Sequence, residues 1–255
     1  MAFDFNSYLV YLLIACRVGG LVFFNPIFGR GNVPALVKVG LSLGIALGLT
    51  GSYTAVPIVD YTLLELIYSV LKEMAIGLAI GFIMQLFMTV FHLGGELIDM
   101  QQGLSMALMY DPSSNSQISI NGNMMTIMFT LLFFASNSHL TLLAIAAKSL
   151  EAVPMGMTKI SGDIGLYMAD LFAQILVYAL QLALPIIVTL VLVDVAIGIM
   201  MRVVPQVNVF VINLQLKLII GTLVILILIP EIVRFMSIVN MLMLTKTHEV
   251  LMYFI

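Results

Sequence analysis

Apolar residues gather along the chain in six long stretches, near 8–28, 36–58, 63–91, 124–147, 166–200 and 210–244. Each offers the roughly 20 mostly apolar residues that a membrane-spanning helix needs. Six helices are therefore expected, not strands, whose apolar runs are much shorter. The fifth and sixth stretches exceed one straight span, and they contain Pro185 and Pro230. Proline removes a helical hydrogen bond and clashes with the preceding turn, so these two read as long, proline-broken hairpin helices. A carbonyl freed at membrane depth is tolerated only where protein or a wet cavity covers it. Gly40, Gly44 and Gly48 share one face of the second stretch, and Gly77 with Gly81 repeats the spacing in the third. Small residues at this spacing let helix backbones approach closely, which points to packing against protein without naming the partner.

Composition strengthens the membrane reading. The chain is 62% apolar and 9% charged, against roughly 25% charged residues in a soluble domain. Too few polar side chains remain to coat a soluble surface, and too many apolar ones are present for a disordered chain. A net charge of −3 with no basic stripe excludes a nucleic-acid binder. The class expected is all-α, a hydrophobic, membrane-associated multi-helix protein.

Charge placement then modifies that picture. With both termini on one side, Lys148, Lys159 and Lys246 face Arg30, Lys38 and Arg202 across the bilayer, and the positive-inside rule gives a draw. No Trp marks an interface. Arg17, Lys72, Glu73, Asp170, Asp194, Lys217 and Arg234 all fall within or near the ends of apolar stretches. At the centre of a lipid-facing helix each would cost about 2.5–3.5 kcal/mol. They are expected to pair, to line a wet cavity, or to meet a partner protein. Cys16 is the only cysteine, so no intramolecular disulfide or multi-Cys metal site forms. The residues before it include Asp4 and no basic residue, so the first stretch reads as a retained helix and not a signal peptide. The whole reads as a single domain, 1–255, with N-terminal helices at 1–91, a Met-rich loop at 92–123 and C-terminal helices at 124–255.

Two constellations carry candidate chemistry. The first runs from His92 to Asn123: Gly94-Gly95-Glu96 leads to Gln101, Gly103, Met106 and Met109-Tyr110-Asp111-Pro112, then to a polar run through Asn115. About thirty residues without Lys or Arg exceed the usual helix–helix connection, and loops of that length are functional or disordered. Eight of the 19 methionines (84, 88, 100, 106, 109, 124, 125 and 128) lie between 84 and 128. Methionine is flexible and polarizable, suited to a seal that yields, although it also serves as core filler. The second constellation is Asp194-x-x-x-Gly198-x-x-x-Arg202, followed by Pro205, Gln206, Asn208 and Phe210. Asp194, Gly198 and Arg202 share a helical face, Arg202 complements the helix's negative end, and Pro205 stops it. A plain helix C-terminus with a polar turn explains the same residues. His92, His139 and His248 have no second ligand at metal spacing. Neither a nucleophile elbow nor a phosphate-binding loop is present. An enzyme is not expected, nor is a cofactor or metal.

The run Gly95-Glu96…Gln101-x-Gly103-x-x-Met106-Ala107…Asp111-Pro112, together with Arg202-x-x-Pro205-Gln206-x-Asn208-x-Phe210 and Lys217, resembles the FliR family. That family is the flagellar type III protein export gate, with counterparts in injectisomes. The likeness covers essentially the whole chain, and the second motif is the more specific. One departure is visible: Asn213-Leu214-Gln215 stands where many members have Gly-Phe-Pro. The resemblance implies a subunit of a helical hetero-oligomer with FliP and FliQ, passing unfolded flagellar proteins across the bacterial inner membrane within the basal-body ring. It also implies a plug at Met106 to Gly122, so Met106, Met109, Tyr110, Asp111, Pro112 and Asn115 are expected in a gating loop. Arg17, Lys72, Glu73, Glu96, Gln101, Asp194, Arg202, Pro205, Gln206, Asn208, Phe210 and Lys217 are expected at contacts between subunits. The alternative is a secondary transporter for a small solute or ion, with Asp194, Lys72 and Glu73 as midplane binding groups. No inverted repeat is evident in the sequence to support it.

Overall fold

The computed structural model describes residues 5–51, 62–104, 119–153, 155, 161–203 and 209–255. Among these residues the structure is all helical. In chain order the elements are α1 (Phe5–Phe24), α2 (Ala35–Thr50), α3 (Leu63–Gln102), α4 (Ile120–Ala135), α5 (Ser138–Ala152), α6 (Ile164–Val203) and α7 (Val209–Glu249), ending in a 3-10 turn at Val250–Phe254. Among the described residues, four helices are long and apolar enough to cross a membrane, or five spans if the bent pair α4–α5 counts as one.

Three departures from the apolar pattern have physical causes. The described part of the second stretch is α2, only 16 residues long and short of a span. The fourth stretch is bent by 70° between α4 and α5. Asn137 makes the corner in the left-handed region at φ 55°, a conformation that Asn tolerates better than most residues. The amide of Asn240 donates to Ser138 Oγ beside that corner at 2.7 Å. Pro185 and Pro230 lie inside α6 and α7 without ending them. The remaining backbone groups still need partners in an apolar setting, and helix is the only local way to supply them. The carbonyl that Pro185 deprives of its donor belongs to Gln181, which lines a cavity of ≈ 220 Å³ with Leu228, Glu231 and Phe235.

The chain divides into two compact units. The first comprises 1–87, 136–170 and 240–255, and its core includes Leu13, Ile14, Leu21, Ile76, Ile80, Met84, Ile145 and Leu251. In it α1 and α3 cross at glycines. A Cβ on Gly77 would collide with the Arg17 carbonyl, and one on Gly20 would lie 2.5 Å from Met74 O. Only Gly allows that approach. Gly40, Gly44 and Gly48 of α2 have nothing within 4 Å of a Cβ, so that face is open in this chain. Asn25 closes the turn after α1 by accepting from the Ile27 N–H at 2.8 Å.

The second unit comprises 88–135 and 171–239. Phe91 stacks on Phe129 with ring centroids 4.3 Å apart, and Met125, Phe133, Ile175, Ala179, Ile186 and Leu190 are buried with them. Here α3 and α4 meet backbone to backbone. A Cβ on Gly95 would strike Gly122, and one on Gly122 would lie 2.8 Å from His92 O.

Candidate functional site

The segment expected to be a long loop is partly helical. Helix α3 continues to Gln102 and α4 starts at Ile120, and both ends are tied into one buried polar cluster. Gly103, at φ 81°, ends α3 in a conformation that costs Gly little. Ser119 caps α4, its hydroxyl accepting the Gly122 N–H at 2.8 Å. The same hydroxyl donates to Asp99 Oδ2 at 2.7 Å. Asp99 Oδ1 accepts from the Asn121 amide at 2.5 Å, and its carboxylate also faces the Asn121 backbone N–H at 3.3 Å. A carboxylate at a helix N-terminus complements the unpaired N–H groups and the positive end of the dipole. Asn121 Nδ2 further donates to Gln102 Oε1 at 2.9 Å. Asp99, Gln102, Ser119 and Asn121 are each at most 7% exposed. Gly221 of α7 makes room for the cluster, since a Cβ there would strike Gln102 Nε2. Met124, Met125 and Met128 line a cavity of ≈ 110 Å³ beside Asn121.

A second tie joins α6 to α7. Lys217 Nζ lies 2.7 Å from Asp194 Oδ2, and the Asn213 amide donates to Asp194 Oδ1 at 3.3 Å. Asn213 is one of the residues that depart from the family pattern, and here it supplies a contact of its own. Arg202 lies exposed in the last turn of α6.

The third polar centre is in the first unit. Arg17 Nε lies 2.6 Å from Glu73 Oε2, with the side chains 3% and 0% exposed. The other guanidinium nitrogens donate to Ser149 O at 2.5 Å and Val153 O at 3.0 Å. Ser149 lies in the last turn of α5, where its carbonyl also accepts the Val153 N–H at 3.0 Å, and Val153 follows the helix directly. One guanidinium thus joins α1, α3 and α5.

Arg17, Glu73, Asp194 and Lys217, expected between subunits, find their partners within the chain. Burial penalises an unpaired charge heavily, and the helix crossings bring opposite charges together across 56 and 23 positions. Lys72 is half-buried. Lys72 Nζ lies 4.3 Å from the centroid of the exposed Tyr68 ring, and Glu96 is exposed, while Gln101 is half-buried. Met106, Met109, Tyr110, Asp111, Pro112, Asn115, Pro205, Gln206 and Asn208 lie outside the described residues, as does the Phe210 side chain. Met84, Met88 and Met125 are core residues. Asp99 and Gln102 carry no role in the sequence reading, while Ser119 and Asn121 fall within the span expected as the plug, Met106 to Gly122, and lie buried at the start of α4. The available signal was Ser119, a capping residue directly before an apolar run. Among the described residues no group of three His, Cys, Asp or Glu side chains could hold a metal ion.

A hydrophobic all-helical chain with charges paired inside it and polar ties at its helix junctions is the architecture of a membrane-embedded helical protein. The sequence profile of bacterial export proteins, family 1, matches residues 8–242. Flagellar biosynthetic protein FliR of Escherichia coli K12 is 31% identical over 228 residues, covering 89% of this chain and 86% of the relative. FliR of Bacillus subtilis 168 is 30% identical over 215 residues, covering 82% and 81%. The Caulobacter vibrioides protein of the same name is 31% identical over 219 residues, covering 85% and 86%. The chain belongs to the FliR family of bacterial export proteins, components of the flagellar export apparatus.

Proposed function

We propose that this chain is a non-enzymatic pore and gate subunit through which unfolded flagellar proteins leave the cytoplasm across the inner membrane. Its partners in this reading are FliP-like and FliQ-like subunits, other membrane proteins of the export apparatus and the basal-body ring. The observation that carries the reading is the Asp99 cluster. It ties Asp99 and Gln102, at the end of α3, to Ser119 and Asn121, at the start of α4, with buried hydrogen bonds, and segment 105–118 joins those two helix ends in the sequence. Met106, Met109, Tyr110, Asp111, Pro112 and Asn115 belong to it and form the plug in this reading.

The partner surface is supported by exposure. On α6 and α7, Leu184, Val188, Leu192, Leu223, Leu226 and Ile227 are 48% to 74% exposed. Apolar area of this extent demands lipid or other helices. Lys72, Arg202 and the open glycine face of α2 are assigned to contacts with neighbouring subunits. The small-solute transporter is not favoured, because Glu73 and Asp194 are already neutralised by Arg17 and Lys217.

Affinity purification in mild detergent with mass measurement of the intact species tests the assembly. Recovery in a complex several times heavier than the 27.9 kDa chain, with FliP-like and FliQ-like subunits, is expected. A lone chain from cells that export flagellar proteins would overturn the reading.

A further inference from the structure

The matching family profile ends at residue 242, yet the residues after it are built into the core of the first unit. Met243, Thr247, Val250, Leu251 and Phe254 are each at most 2% exposed. The 3-10 turn Val250–Phe254 packs against α5. Its Tyr253 carbonyl accepts the Ser161 N–H at 2.9 Å. The Tyr253 ring lies 4.7 Å from that of Tyr167, at the start of α6. The Tyr167 hydroxyl in turn donates to the carbonyl of Lys246, in the last turn of α7, at 3.1 Å.

We propose that residues 243–255 form a latch that closes the first unit and holds α5 where its end meets Arg17. Helix α5 has 15 residues, a length that is marginal for an isolated helix, so its position rests on packing. It supplies two of the acceptors around the Arg17 guanidinium, the Ser149 carbonyl in its last turn and the Val153 carbonyl just beyond. A hydrogen bond is lost once donor and acceptor drift past about 3.5 Å. A shift of α5 by about one ångström therefore strips Arg17 of both carbonyls and leaves its charge to Glu73 alone. The latch acts on the buried charge through α5, without touching it.

The order of the segments gives the latch its timing. The first unit draws on 1–87, 136–170 and 240–255, whereas the second is complete at residue 239. During synthesis the second unit has all its residues before the latch emerges. The first closes last, and its buried guanidinium is fully capped only when the turn at Val250–Phe254 docks.

Hydrogen exchange on the purified, assembled complex tests the proposal, comparing the parent with a double variant, Leu251→Ala with Phe254→Ala. Amides of α5 and of residues 161–170 are expected to exchange at least about tenfold faster, since the local opening that exposes them becomes easier. Amides of α4, in the second unit, are expected to change less than about twofold. Equal acceleration in α4 would overturn the proposal, as a general loss of stability. Unchanged exchange in α5 would overturn it too, as a segment that merely rests on the unit. Should the double variant leave too little complex, Tyr253→Ala, which removes one half-buried ring, carries the same comparison with the same two outcomes. A thermodynamic cycle then separates a latch on Arg17 from local packing. Arg17→Met and Leu251→Ala together are expected to lower the melting temperature by clearly less than the sum of their separate effects, because both release the same contact. Strict additivity would overturn the link between the latch and Arg17.

Discussion

The Arg17 guanidinium reaches four acceptors, on Glu73, on Val153 and twice on Ser149. Removing one partner of such a pair leaves a buried charge uncompensated, at about 3–5 kcal/mol. Arg17→Met is therefore expected to lower the melting temperature of the purified complex and the level of the chain in cells. Replacing both partners, as Arg17→Met with Glu73→Leu, is expected to recover much of the loss, since apolar packing often equals a buried pair. A single mutant that melts like the parent would refute the role of this staple. At Asp99, replacement by Ala strands the Ser119 hydroxyl proton and the Asn121 backbone N–H, and leaves the Asn121 amide with Gln102 Oε1 alone. Each unsatisfied buried group costs about 1–3 kcal/mol, so Asp99→Ala is expected to destabilise the complex more than Asp99→Asn, whose amide oxygen keeps an acceptor. Equal melting of the two variants would argue against the anchor.

Helix crossings separate glycines that pack within the chain from those that do not. Gly77→Ala forces α3 off the Arg17 carbonyl and is expected to reduce folded chain sharply. Gly44→Ala meets nothing within 4 Å and gains up to about 1 kcal/mol in helix propensity. Chain levels after expression without other apparatus subunits check this contrast, and equal losses would contradict it. Any defect of Gly44→Ala in the assembled apparatus then reads as a lost partner contact. Both glycine sets look alike in sequence, because spacing reports a smooth face and not what covers it. Other features are similarly uneven in legibility. Long apolar runs announced α1, α3, α6 and α7, since hydrophobic length is a local signal. The bend at Asn137 left no trace in that signal, because one residue in the left-handed region changes direction without changing polarity. The Asp99 anchor was visible only in part. Its members sit twenty positions apart and meet through the close approach of Gly95 and Gly122, a tertiary event that no local pattern encodes.

At the scale of the molecule, helix length bears on position. Helices α3 and α6 have 40 residues and α7 has 41, about 60 Å each at 1.5 Å per residue. A hydrocarbon core is about 30 Å thick, so roughly half of each helix extends beyond it. In the assembly proposed above, the surplus apolar surface meets neighbouring helices. The central claim is the proposal that segment 105–118, between the two helix ends tied by the Asp99 cluster, closes the pore. Its most direct test is the ion and small-molecule permeability of membranes bearing the assembled apparatus, with and without residues 108–117. The deletion leaves both anchor points in place, so assembly is expected to persist while permeability rises well above the parent. An assembled complex with unchanged permeability would contradict the claim.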